Sequence, residues 1–187
     1  YSKGCIVLTH VDDCIIIGNM TNKIEDLITP LQGGEENFRL TDEGSIDKYL
    51  GMNIEQLDAN SFELSQPFLI ERITTLLGIE NGRTGEKDTP VGKPLLNKDL
   101  NGVERKYEWN YRAAIGMLTY LTGSVRPDIA MAVHQCARFS TKPMRSHEQA
   151  VMRIGRYLLG SKDKGMLYKP DPSKGLEVYV DANFVGG

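Results

Sequence analysis

The sequence predicts a mixed α+β fold, and three observations carry that expectation. Short β-branched runs pair across tight polar turns near the start, helical periodicity takes over after Pro67 and again after residue 107, and strand-like runs return at the end. Residues 5–10 (Cys-Ile-Val-Leu-Thr-His) and 14–18 (Cys-Ile-Ile-Ile-Gly) read as two strands joined by Val11-Asp12-Asp13. A helix follows, capped by Thr21 or Asn22 and carrying Ile24, Leu27, Ile28 and Leu31, with Pro30 and Gly33-Gly34 expected to end it early. Residues 48–56 and 61–65 read as a second hairpin turning at Asp58-Ala59-Asn60.

Pro67 opens a helix that repeats Leu69, Ile70, Ile73, Leu76 and Leu77 at helical spacing and stops at Gly78. Residues 79–106 are rich in Gly, Asn, Lys and Pro and lack periodicity, as a linker or long loop would. Three helices then follow. One holds Ile115, Leu118 and Leu121; one starts at Pro127 and lines up Ile129, Ala132, Val133, Cys136 and Ala137. The last begins at Ser146, with Gln149 completing a capping box, and turns Ala150, Ile154, Tyr157 and Leu158 inward until Gly160. Met166–Lys169 and Leu176–Phe184 are strand-like runs separated by Pro170-Asp171-Pro172.

At 187 residues the chain has room for one domain or two small ones. It opens on Tyr1 and stops at Gly187 directly after a strand-like run, which suggests a piece of something longer. No apolar run approaches the roughly 18 residues that span a bilayer, so no membrane partner is expected. Cys5, Cys14 and Cys136 are odd in number, form no C-x-x-C pair, and read as small buried hydrophobes in a reducing compartment. His134 and Cys136 point different ways on a helix, so both read as core residues; His147, after the Ser146 cap, reads as a surface residue.

The net charge of −3 conceals an asymmetry. Between Lys23 and Glu63, three basic residues (Lys23, Arg39, Lys48) stand against ten acidic ones, at 25, 26, 35, 36, 42, 43, 47, 55, 58 and 63. From Arg138 to Lys169, eight basic residues stand against only Glu148 and Asp163. Arg138, Arg145, Arg153 and Arg156 in this stretch suit a polyanion such as a nucleic-acid backbone, with a solvated helix face as the plain alternative.

Adjacent carboxylates at a hairpin tip repel each other, and Asp-Gly or Asn-Gly would make an easier turn. A divalent cation removes the conflict, because Mg2+ takes hard oxygen ligands and binds through one or two carboxylates plus substrate phosphates. Two-metal phosphoryl transfer holds its ions roughly 3.5–4 Å apart on a rigid platform, which a hairpin with Ile and Val arms supplies. A solvated turn with incidental aspartates is the competing reading of Asp12 and Asp13. At the other end, Leu176, Val178 and Val180 alternate with Glu177, Tyr179 and Asp181, so Asp181 falls on the face opposite the apolar set.

The run Leu8-Thr9-His10-Val11-Asp12-Asp13-Cys14-Ile15-Ile16-Ile17-Gly18 resembles the palm hairpin of copia-type reverse transcriptases, Tyr-Val-Asp-Asp between apolar arms. The likeness continues in order through Phe38–Gly44, Tyr49-Leu50-Gly51-Met52, Leu64-Ser65-Gln66, Tyr111-Arg112, Ile115-Gly116 and Leu118–Leu121. It goes on through Arg126-Pro127-Asp128-Ile129-Ala130, Arg138-Phe139, Arg156-Tyr157-Leu158 and Gly160. Tyr179–Phe184 is similar to the Tyr-Ser-Asp-Ala-Asp-Trp run that opens the family's RNase H domain. His10 replaces the usual tyrosine, and Asn183 and Phe184 replace Asp and Trp, departures that fit a decaying element.

The resemblance implies the C-terminal part of a palm at residues 1–78, a linker at 79–106, a helical thumb or connection section at 107–160, and the beginning of an RNase H-like sheet at 161–187. It implies a parent that copies RNA into DNA. Its partners would be an RNA template, a DNA primer, an RNA–DNA hybrid and deoxynucleoside triphosphates. Mg2+ (or Mn2+) would be held by Asp12 and Asp13. Leu50, Gly51 and Met52 would position the primer end, Asp181 would be the first RNase H carboxylate, and the setting would be intracellular, in a cytoplasmic particle or the nucleus. A non-catalytic nucleic-acid-binding remnant, or an inert structural module, are the alternatives.

Overall fold

The computed structural model describes residues 5–18, 21–33, 39–79, 85–92, 96–171 and 173. The strand expected at Leu176–Phe184, with Asp181, lies outside them. Within the described residues the chain is mixed α+β, and its contacts divide it into two compact units, residues 1–50 and 51–187.

In the first unit, β1 (Cys5–His10) and β2 (Asp13–Gly18) pair antiparallel, from Cys5 opposite Gly18 to His10 opposite Asp13. The register fixes a two-residue turn, Val11-Asp12, so the sequence assigned one residue too many to it. α1 (Thr21–Gly33) packs on the open end of the hairpin, away from its turn: a Cβ on Gly18 would lie 3.0 Å from both Cys5 Sγ and Ile24 Cγ1. Cys5 is buried there, whereas Cys14, near the turn, is exposed, because two strands leave both faces open at the tip. Pro30 does not end α1, which runs on to Gly33. The hydrogen bond it forfeits would run to Asp26, and both residues face water, which satisfies the freed carbonyl. β3 is the short Lys48–Tyr49.

In the second unit, β4 (Met52–Asp58), β5 (Ser61–Ser65) and β6 (Met166–Tyr168) form an antiparallel sheet in that order. The expected hairpin starts later and runs further, to Asp58, with a register irregularity between Gln56 and Asp58. Ala59-Asn60 turns the chain, and Asp58 Oδ1 accepts from the Asn60 amide at 2.8 Å, the local bond that makes Asp a turn former.

α2 (Pro67–Leu76) begins on its proline, whose missing donor costs nothing in a first turn. It closes through Gly78 at φ +65°: Gly78 N donates to Thr75 O at 3.0 Å and Ile79 N to Thr74 O at 2.9 Å, a Schellman cap. α3 (Tyr111–Ser124) is capped by Asn110, whose Oδ1 accepts from Ala113 N at 3.0 Å. A 3-10 turn at Pro127–Ile129 leads into α4 (Ala130–Ala137), and α5 is Arg145–Leu159. These helices share one apolar core in which Leu118, Leu121, Ile129, Ile154 and Leu158 are fully buried. His134 lies outside the buried stripe of Ala132, Val133 and Cys136 and is exposed, contrary to expectation.

The helix α5 starts one residue earlier than Ser146 suggested. Met144 is its N-cap, and the third helical residue that reaches back is His147, whose Nδ1 accepts from Met144 N at 2.9 Å. Ser146 Oγ instead donates to Asp99 Oδ2 at 2.7 Å.

Two glycines give opposite expectations. A Cβ at Gly165 would sit 2.6 Å from the Leu64 carbonyl oxygen, so β6 reaches β5 only without a side chain. Gly116, inside α3 and exposed, would meet nothing within 4 Å. Gly165→Ala is expected to destabilise the chain by about 1–3 kcal/mol, and Gly116→Ala to stabilise it by about 0.5–1 kcal/mol. Urea midpoints measure both, and shifts of the same sign would show that β6 is not seated by this close approach.

Candidate functional site

The acidic turn sits on a strained residue. Val11 has φ +53° and is 90% exposed. A β-branched side chain in the left-handed region costs on the order of 1–2 kcal/mol, and a two-residue hairpin turn with positive φ at its first position ordinarily carries glycine there. Asp12 follows it in the turn and Asp13 opens β2 opposite His10. Both aspartates are exposed, so the hairpin presents two hard oxygen donors from a backbone fixed by the ladder. Among the described residues no group of three or more His, Cys, Asp or Glu could hold a metal, so the two carboxylates would supply at most part of a donor set.

Leu50 and Gly51 are consecutive left-handed residues, at φ +49° and +75°. Only the second is a residue to which that region is easy. In the second unit, Gln66 ties this segment down: its Nε2 donates to Gly51 O at 3.4 Å, and its Oε1 accepts from Ser124 Oγ at 2.6 Å. Met52, the first residue of β4, packs against the helical core.

Arg126 is 1% exposed and heavily bonded. Its Nε and Nη2 each reach one oxygen of Asp128 at 2.9 Å, a bidentate pair across Pro127. Nη1 donates to Ser161 O at 2.9 Å and Nη2 to Ser161 Oγ at 2.8 Å, while Tyr157 Oη donates to Asp128 Oδ2 at 2.7 Å. Burial pulls the Asp128 carboxyl up, but the bonds from Arg126 and Tyr157 outweigh it and hold it below the usual range. The bond to Asp128, with burial, raises the Tyr157 phenol. These residues were quoted as part of the resemblance and not as a site. The signal available was the Arg-Pro-Asp spacing, which lets one side chain fold back on the other.

Of the four arginines singled out, Arg145, Arg153 and Arg156 line one cavity of about 700 Å3 between α5 and the segment 87–107, together with Lys87 and Lys98. Arg138 is not in its wall; it is exposed and donates to Gln135 Oε1 at 3.3 Å. Segment 87–107 has no helix or strand in its described part, yet it is strapped to α5. Arg153 donates from Nε and Nη2 to Thr89 O and Oγ1 at 3.1 and 2.7 Å. Buried Glu148 accepts from the Lys106 and Tyr107 amides at 3.1 and 3.0 Å and pairs with Arg105 and Arg145.

His147 is 1% exposed, correcting its reading as a surface residue. With Nδ1 accepting from Met144 N, the proton sits on Nε2, which donates to Asn97 O at 3.0 Å, and the ring stacks on Phe139 with centroids 4.1 Å apart. Cys136 is inert: burial pushes its thiol up to about 12, and Tyr111 Oη donates to its carbonyl at 3.0 Å. Among the described residues no helix is long and apolar enough to cross a membrane.

The chain is homologous to retrovirus-related Pol polyproteins of copia-type retrotransposons. It is 34% identical, over 97% of its length, to the Pol polyprotein from transposon TNT 1-94 of Nicotiana tabacum. It is 28% identical over 96% to that of transposon RE1 of Arabidopsis thaliana, and 26% identical over 97% to a Ty5-1 transposon protein of Saccharomyces cerevisiae. The chain spans 14% of the tobacco protein, 12% of the Arabidopsis protein and 58% of the yeast one. No protein-family model matches it, and neither does any solved structure.

The Arg126 network sets an acid limit on stability. Asp128 is lowered in the folded state, so its contribution is full above the unfolded carboxylate value of about 3.9 and is lost as pH falls through the lower folded value. Asp128→Asn is expected to cost about 2 kcal/mol at pH 7, discounted for the exposed side of the carboxylate, and to flatten the loss of stability below about pH 4. Unfolding midpoints of both proteins from pH 7 to about pH 3 measure this, and parallel curves would remove Asp128 as the titrating group.

Proposed function

We propose that the chain is the closing part of a reverse-transcriptase palm, followed by a helical thumb-like section and the start of an RNase H domain. In this reading the parent copies RNA into DNA by extending a primer with deoxynucleoside triphosphates. The observation that carries the reading is the hairpin turn, where a strained Val11 precedes two exposed carboxylates on a fixed ladder. A turn optimised for stability would carry Gly or Asn at that position, and backbone strain of this kind clusters at functional sites.

Asp12 and Asp13 would hold Mg2+ or Mn2+. The ion supplies charge neutralisation at the phosphates and activation of the primer hydroxyl. Asp12, in the turn, and Asp13, at the strand start, offer oxygens on consecutive residues, so one rigid element sets both donors. Leu50, Gly51 and Met52 would place the primer end, with Gln66 keeping the Gly51 carbonyl in position. Arg138, Arg145, Arg153 and Arg156 would meet backbone phosphates of the hybrid, which position a duplex without reading its sequence. Asp181 would begin a second, separate metal site for cleavage of the RNA strand. The 187-residue chain alone would polymerise nothing, because two carboxylates are part of a two-metal site and not the whole of one.

A second reading, a non-catalytic nucleic-acid-binding remnant, is favoured by the gathering of three of the four arginines around one cavity, which needs no catalytic carboxylate. The experiment that separates them uses a parent extended on both sides of this segment. Asp12→Asn and Asp13→Asn should each reduce primer extension by several orders of magnitude with the fold intact, and Asp181→Asn should abolish RNA cleavage while sparing extension. Extension near the unsubstituted rate in both hairpin variants would sink the polymerase reading and leave the remnant.

A further inference from the structure

We infer that the cavity between α5 and the segment 87–107 is a nucleotide site, with Tyr107 as stacking surface for the base and Arg153 and Arg156 as phosphate ligands. It rests on the reading that these arginines meet phosphates, and it narrows that reading to one place and one ligand unit.

Size comes first. A cavity of about 700 Å3 lies within the range of small-molecule sites, roughly 300–1,000 Å3. Its lining has two characters. Ala132, Cys136, Met152 and Ile154 supply an apolar floor, while the cations stand with a single carboxylate, Asp99, which is already engaged by Ser146. Arg145 is already paired with Glu148 and Arg153 bonded to Thr89, but the lining as a whole is cationic and favours an anion, whereas a bare inorganic anion would leave the apolar floor uncovered. A planar heterocycle carrying phosphate answers both.

Three details sharpen the assignment. Tyr107 lines the cavity and is 41% exposed, an aromatic surface outside the core that the Lys106 ammonium and the Arg145 guanidinium approach to 5.6 and 5.9 Å of the ring centroid. Bases stack on such rings without regard to sequence. Arg153 is held by two bonds to Thr89, so its guanidinium plane is set before any ligand arrives and Nη1 is left for one. Arg156 lines the same cavity and is half-buried, and a phosphate oxygen is an acceptor that a guanidinium fits well.

The site lies in the second unit, on residues that share nothing with the acidic turn in the first. Its occupant can be a free nucleotide or one nucleotide of a strand, since both present the same base and phosphate.

The test is calorimetric titration of the full chain with deoxyadenosine monophosphate, deoxyadenosine, inorganic phosphate and a short single-stranded oligodeoxyadenylate. The monophosphate is expected to bind saturably and more weakly as salt rises, with deoxyadenosine and phosphate each at least about tenfold weaker. Tyr107→Leu and Arg156→Gln should each weaken the monophosphate by about tenfold. Arg72→Gln, on α2 and outside the cavity, should change nothing. If Arg156→Gln fails to fold, Lys98→Ala on the exposed rim replaces it. Binding of monophosphate and oligonucleotide alike assigns a free nucleotide as a possible source. Binding of the oligonucleotide alone, still dependent on Tyr107, assigns a strand. Two outcomes overturn the inference. One is phosphate binding as tightly as the monophosphate with Tyr107→Leu silent; the other is no Tyr107-dependent binding of any probe. In either case salt-sensitive binding of an RNA–DNA hybrid that is lowered by Arg138→Ala leaves the broader phosphate-contact reading standing, and loss of that binding as well removes both.

Discussion

The second unit depends on a buried guanidinium. Arg126 enters the core between α3 and α4 with all three of its nitrogens bonded, to a carboxylate two residues away and to the backbone and hydroxyl of Ser161. Taking an arginine out of water costs several kcal/mol unless every donor is answered, and here the answers come from both sides of the helical section. Asp128 neutralises the charge, Tyr157 on α5 bonds the same carboxylate, and Ser161 holds the chain just as it leaves α5 for β6. The position of α5 relative to α3 and α4 is thus written in a polar bond set as well as in Leu118, Leu121 and Leu158. That matters for function, because α5 carries three of the four arginines singled out from sequence.

A second polar centre does for the N-terminal end of α5 what Arg126 does for its C-terminal end. Glu148 and His147 are buried beside each other, one taking two backbone amides of residues 106 and 107, the other bridging Met144 N and Asn97 O. The irregular segment 87–107 is held against the helix through these bonds and the Arg153–Thr89 pair. A wall built this way has few apolar anchors and an open polar side, the combination that yields a cavity with cations on its rim. The first unit works on another principle. Its hairpin is a two-stranded ladder with Val11 strained at the tip, and it exposes Ile6, Leu8 and Ile17 on one face.

Much of this was legible in sequence because it is local. Ile and Val arms around a polar turn gave the first hairpin to within a residue, and Pro67 and Gly78 bracketed α2 by the chemistry of helix ends. Pro30 misled, since a missing donor breaks a helix only when the freed carbonyl has nowhere to go, and on an exposed face water serves. Ser146 misled in the same way: a good capping residue was present, but His147 one position on held the better geometry and Asp99, 47 residues earlier, claimed the serine. Burial of His147, exposure of Cys14 and His134, and the gathering of Lys87, Lys98 and Tyr107 with the α5 arginines were not legible. Each depends on which distant segment packs where. One clue was present: Glu148, a lone carboxylate early in a strongly basic stretch, is where a structural acid would stand.

The functional account turns on whether the hairpin turn selects divalent ions over the many other carboxylates of the acidic N-terminal half. Paramagnetic broadening of backbone amide signals by substoichiometric Mn2+ reads this directly in the 187-residue chain. The account predicts that signals from Val11 to Cys14 are lost first and return when Asp12 and Asp13 are both changed to Asn, while those around Asp42 and Asp47 persist. Broadening that is centred on other carboxylates, or that is unaffected by the double substitution, would contradict it.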